Sequence, residues 1–228
     1  MTSSTSTARM MGVLFLVAFI SNILAMNISG LLDPAFTEAP NLLNNVSAHS
    51  MQVKISILLD LLSSAAVIAL AVTLFAILKE QNRNLALLAL ALWICEAVVL
   101  AASKVSVFSL LLLSEEYLQA GSADSPYYHT LGSLFVDASR KGFLIVQFFF
   151  SLGCVLFYFL FYQSNLIPRL ISGWGLVAVT LVLAEVSLDM MGHSAGLVLL
   201  VPYMFFEPFI GVWLIIRGFN ASDSNPIA

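Results

Sequence analysis

Residues 85–113 read LALLALALWICEAVVLAASKVSVFSLLLL. The run is longer than the about 20 apolar residues that cross a bilayer as a helix. It nevertheless carries Glu96 near its middle and Lys104 two turns further on. A charge at bilayer depth costs on the order of 3 kcal/mol even on insertion-based scales, so such side chains face a bundle interior or a wet cavity. One helix cannot supply an interior. The stretch therefore predicts several further spans packed around it.

Composition agrees. The 228 residues are 60% hydrophobic and 10% charged, with a mean hydropathy of +0.98. A soluble domain carries roughly 25% charged residues. The length suits one transmembrane domain over residues 1–228, with no room for a separate soluble one. The net charge of −4 comes without a basic patch, which argues against a nucleic-acid partner. Cys95 and Cys154 sit in apolar segments with no CxxC or Cys/His spacing, so they read as small packing residues.

Taken in order, the chain predicts an all-α integral membrane bundle of six transmembrane helices. The spans run over about 10–32, 51–78, 85–113, 142–163, 170–191 and 195–216, between polar tails at 1–9 and 218–228. The first apolar run exceeds the 7–15 residues of a signal-peptide core and is read as a span. Asp33-Pro34 should break it, and the following segment to Ser50 reads as a polar connection. Ser125-Pro126 looks like an N-cap with proline at the first helical position, opening an amphipathic turn before the fourth span. Asn45-Val46-Ser47 fits a glycosylation sequon, a short and weak match. No nucleotide-binding motif or strong internal repeat is present.

Lysine and arginine bias sets the orientation. With six spans, Arg9, Lys79, Arg83, Arg169 and Arg217 share one side, while Arg140, Lys141 and most loop acids lie on the other. Both termini are expected to be cytoplasmic.

The intramembrane polar site is expected among Asp60, Glu96, Lys104, Glu185 and Glu207. Asp60 and Lys104 lie at equal depth on neighbouring spans, which predicts an ion pair between them. Ser56, Asp60, Ser63 and Ser64 share one helix face, so that stripe should point inward. Glu96 and Glu207 fall near the middle of their spans, the latter between Pro202 and Pro208, which remove backbone hydrogen bonds. Carboxyls at this depth serve proton-coupled carriers, and they serve equally as interhelical hydrogen-bond glue. Glu185 and Asp189 share a face of the fifth span. His49, His129 and His193 fall in separate segments without an H-x-x-x-H or H-E-x-x-H spacing, so neither a metal nor another cofactor is implied. Trp93, Trp174 and Trp213 read as interfacial belt residues.

Three blocks carry a family resemblance: LKEQNRNLALLALALWICEAVV from Leu78, YQSNLIPRLISGWG from Tyr162, and PYMFFEPFIGVWLIIRGF from Pro202. Together they resemble small bacterial multi-pass proteins of domain-of-unknown-function family four-three-eight-six, over about residues 8–219. The resemblance implies an inner-membrane helical bundle and matches Glu96 and Glu207 to the family's recurring acidic positions. It implies no activity. It also leads one to expect an arginine just before the helix-three glutamate, where Trp93 and Ile94 stand. Glu96 would then need another partner, with the neighbourhood of Lys104 the nearest choice.

Three roles follow for comparison. The first is small-solute or proton-linked transport or sensing through the polar interior. The second is a non-catalytic partner or assembly subunit, docking a homo-oligomer or another membrane protein through the small residues Ser172, Gly173 and Gly175. The third, a membrane-embedded metal hydrolase, has the least support, and the reading favours a protein that is not an enzyme.

Overall fold

The computed structural model describes residues 2–38, 41–121, 126–193 and 195–220. Among these residues, eight α-helices run in the order α1 (Thr2–Ser29), α2 (Pro34–Thr37), α3 (Leu42–Ala48), α4 (Ser50–Leu78), α5 (Arg83–Gln119), α6 (Pro126–Ser164), α7 (Arg169–Met190) and α8 (Val201–Arg217). A 3-10 turn at Leu197–Leu199 leads into α8. No strand occurs among the described residues. Six helices are long and apolar enough to cross a membrane: α1, α4, α5, α6, α7, and α8 together with its 3-10 turn. Large apolar side chains such as Leu58, Leu112, Val177 and Phe205 lie exposed along them, as lipid-facing surfaces require. The chain is a multi-pass membrane protein.

Local signals account for the breaks. Gly30, with φ +68°, ends α1 in a conformation that other residues avoid. Asp33 then caps α2, its Oδ1 accepting from the Ala35 N–H at 2.9 Å with Pro34 next in line. Asn82 caps α5 in the same way through the Leu85 N–H.

Several boundaries differ from the sequence reading. α1 reaches back to Thr2, through most of the polar run 1–9. The connection before Ser50 is not simply polar. It folds into α2 and α3, and α3 buries Leu42, Leu43 and Val46 against the ends of α5 and α6. Asn45 of the sequon lies inside α3, donating to the Phe36 carbonyl at 3.0 Å. The amphipathic turn expected from Pro126 and the fourth span are one unbroken helix, α6, from Pro126 to Ser164, with Arg140 and Lys141 within it. Ser125, the expected N-cap, lies outside the described residues.

The spans pack in chain order, α1 on α4, then α5, α6, α7 and α8, and α8 returns to α1. Six helices in a ring leave a centre to be filled. The first and last meet through glycines: a Cβ on Gly12 would fall 2.5 Å from the Gly211 carbonyl oxygen. Such small-residue crossings let backbones approach where lipid supplies no hydrophobic drive.

The buried apolar residues form two clusters. The larger, toward the side holding both chain ends, includes Phe15, Leu70, Trp93, Phe157 and Phe206. The smaller, toward the distal side, joins α3 with Ile57, Leu110, Tyr117 and Val136. Between them along the helices lie Ser21, Asp60, Ser63, Glu96, Lys104 and Gln147. A polar layer thus divides the core.

Candidate functional site

Two cavities occupy that layer. The distal one, about 120 Å³, is lined by Asp60, Lys104 and Arg140 together with Ser29, Ser56 and Ser139. Lys104 Nζ donates to Asp60 Oδ2 at 2.5 Å, both side chains nearly buried. The stripe predicted on α4 does point inward: Ser56, Asp60, Ser63 and Ser64 are all buried. Arg140 donates from one guanidinium nitrogen to the Leu31 carbonyl at 3.0 Å and to Thr37 Oγ1 at 3.2 Å, tying α6 to the α1–α2 connection. Each charge here has a partner.

The second cavity is larger, about 240 Å³, and all six spans contribute to its wall. Glu96 reaches it from α5 and Glu207 from α8. Asn22 of α1, Ser63 of α4, Gln147 of α6 and Tyr203 of α8 add polar groups, and Val182 of α7 closes one side. Ser63 also donates to the Ala18 carbonyl at 3.1 Å, joining α4 to α1 at the cavity wall. No lysine, arginine or histidine among the described residues lines it. Glu96 is 4% exposed, and its Oε2 has no hydrogen-bond partner among the described residues. Neither Glu96 nor Glu207 makes an ion pair among the described residues. The expected help from Lys104 does not arrive, because Lys104 is committed to Asp60.

Local sequence explains how Glu207 is presented. Pro202 sits in the first turn of α8 and Pro208 inside it. Proline has no N–H, so Pro208 cannot bond the carbonyl of Met204, a residue that also lines the cavity. Tyr203 precedes Glu207 by one helical turn and therefore shares its face.

An aromatic wall stands behind these groups. Trp93 stacks on Phe150 with centroids 5.7 Å apart and planes within 7°, and Phe150 meets Tyr203 edge-on at 5.8 Å. Trp93 Nε1 donates to the Phe150 carbonyl at 3.1 Å. Gly153 makes the stack fit, since a Cβ there would overlap the indole. Trp93 is thus a buried core residue and not part of an interfacial belt. The signal was available: Trp93 lies three residues before Glu96, on the same face of the helix.

Met26 and Phe143 line both cavities and form the partition between them. The five charged residues singled out by sequence therefore do not share one site. Asp60 and Lys104 belong to the distal cavity, and Glu96 and Glu207 to the central one. Glu185 lines neither. It is 5% exposed, and its two oxygens accept from the Ala195 and Gly196 N–H groups at 3.1 and 3.0 Å, fastening the turn before α8 to α7. Asn22, Gln147 and Tyr203 were missed, although a side-chain amide in mid-span is itself a signal of an inward face.

The histidines stay apart. His49 Nδ1 contacts the Asn45 carbonyl and His193 Nδ1 the Met191 carbonyl, while His129 packs against the Tyr117 ring. No group of three His, Cys, Asp or Glu side chains able to hold a metal occurs among the described residues. The small residues of α7 are not an open docking face either. Ser172 is buried, and a Cβ on Gly175 would strike the Phe206 ring; only Gly173 has open space.

No curated protein and no solved structure matches this chain. A family model described as Domain of unknown function (DUF4386) matches residues 10–218. Nearly the whole described bundle falls within that match, both carboxyls of the central cavity included, and the chain belongs to this family of membrane proteins.

Proposed function

We propose that the protein is a carrier or sensor of a small solute or proton, working through the central cavity with Glu96 and Glu207 as its protonatable groups. One observation carries the reading: two carboxyls converge on a cavity walled by every span, with no cation beside them and one Glu96 oxygen unbonded. Carboxyls used as interhelical glue are hydrogen-bonded, because an unmet polar group in a low-dielectric interior is costly. Asp60 and Glu185 show that arrangement in this same molecule. The lysine and arginine distribution favours cytoplasmic termini, and the family resemblance favours a bacterial inner membrane.

The test needs no substrate. Purified protein in lipid is treated with a hydrophobic carbodiimide, which reacts with protonated buried carboxyls, and the sites are mapped by mass spectrometry across pH. Labelling at Glu96 or Glu207 that fades as pH rises is the expected result. No labelling at either residue, at any pH, would overturn the reading.

A further inference from the structure

We infer that the ligand of the central cavity is a small organic ammonium ion bearing an apolar group; this rests on the reading above that the cavity is a working site. Three features converge on that class. The charge of the lining is one-sided, with Glu96 and Glu207 facing the space and no basic side chain among the residues around it. An ammonium group carries donors and no acceptor, the complement of an unbonded carboxylate oxygen.

The walls supply the second feature. Phe143, Phe150 and Tyr203 border the same space as the carboxyls. Aromatic faces attract cations through the ring quadrupole, more strongly where water is excluded, and they also cover an apolar substituent. Phe150 is held in orientation from behind by Trp93, so this surface is fixed before any ligand arrives.

Size is the third. A cavity of about 150 Å³ holds benzene, and this one, at about 240 Å³, is larger. A bare metal ion would leave most of it empty and would lack the six to eight oxygen ligands that calcium takes. An anion would meet two acids and no base. The distal cavity is a control within the molecule, because Lys104 and Arg140 outnumber Asp60 there and give it the wrong sign for the same ligand.

The experiment uses the full-length protein in nanodiscs and three probes of similar shape: phenethylamine, phenethyl alcohol and phenylacetate, with empty nanodiscs as the partition control. Phenethylamine should bind at least tenfold more tightly than the alcohol and phenylacetate least. It should also protect Glu96 and Glu207, but not exposed carboxyls, from carbodiimide. Glu96→Gln and Glu207→Gln should each cut the preference for amine over alcohol, and Phe150→Leu should weaken amine binding with both carboxyls intact. Equal binding of amine and alcohol, or no binding of any probe, overturns the ammonium assignment. If Glu96 or Glu207 is still labelled in that case, the cavity reading stands and only the ligand class falls. If neither is labelled, the cavity reading falls as well.

Discussion

The two cavities are made from the same ring of helices and share two wall residues, yet they treat charge in opposite ways. In the distal cavity Asp60 has Lys104, and Arg140 has a carbonyl and a hydroxyl. In the central cavity two carboxyls stand without a cation, and one Glu96 oxygen stands without a hydrogen bond. A low-dielectric interior penalises an unpartnered polar group whatever its purpose. Pairing marks groups that hold the fold, and on the proposed reading the unpaired carboxyls of the central cavity are the ones kept for a ligand. Glu185 falls on the paired side of that division.

Mutations can break or sharpen the contrast. The largest stability loss should come from Lys104→Met, which strands Asp60 in the interior. Removing one partner of a buried pair costs about 3–5 kcal/mol, and thermal unfolding in lipid should show it. Adding Asp60→Leu to that variant should restore most of the loss. If it does not, Lys104 has a role beyond the pair. Gly153→Ala comes next, at about 1–3 kcal/mol, because the new methyl overlaps the Trp93 indole. A changed tryptophan emission should accompany the drop in Tm.

Glu185→Gln should cost a similar amount, about 1–3 kcal/mol, since the amide keeps one acceptor oxygen for one of the two backbone N–H groups and turns a donor NH2 toward the other. Carbodiimide labelling at Glu96 should be unchanged in that variant, and a change would link the α7–α8 turn to the cavity. The smallest stability effect belongs to Glu96→Gln, under about 1 kcal/mol, because Oε2 has no hydrogen bond to lose. A loss there as large as that of Lys104→Met would erase the distinction between the two cavities.

How far the sequence could be read depended on polarity more than on periodicity. Asp60 and Lys104 declared themselves because two opposite charges at equal depth have few other ways to be buried. The six spans were equally visible from length and composition. The inward faces of the apolar stretches were not. In a membrane protein both the core side and the lipid side of a helix are apolar, so the usual amphipathic signal disappears. That is why Trp93 passed for a belt residue and why the glycine crossing of Gly12 with Gly211 went unseen.

Other misses had different causes. The helix start at Pro126 was legible, but the tie from Arg140 to the Leu31 carbonyl in the α1–α2 connection was not. Glu185 looked like part of a charged interior because its partners are backbone N–H groups, which a sequence does not display. Of the central site, the two acids were legible. The aromatic wall and the amides that complete it required the helices to be set beside one another.

The closure of the ring between the first span and the last has a bearing on how the protein is made. A ribosome delivers α1 long before α8, and Gly12 waits for Gly211 through the synthesis of everything between them. Until α8 is inserted the five earlier spans are an open arc, with Glu96 facing a seam that lacks Tyr203, Met204 and Glu207. The central cavity is therefore the last part of the molecule to come into being.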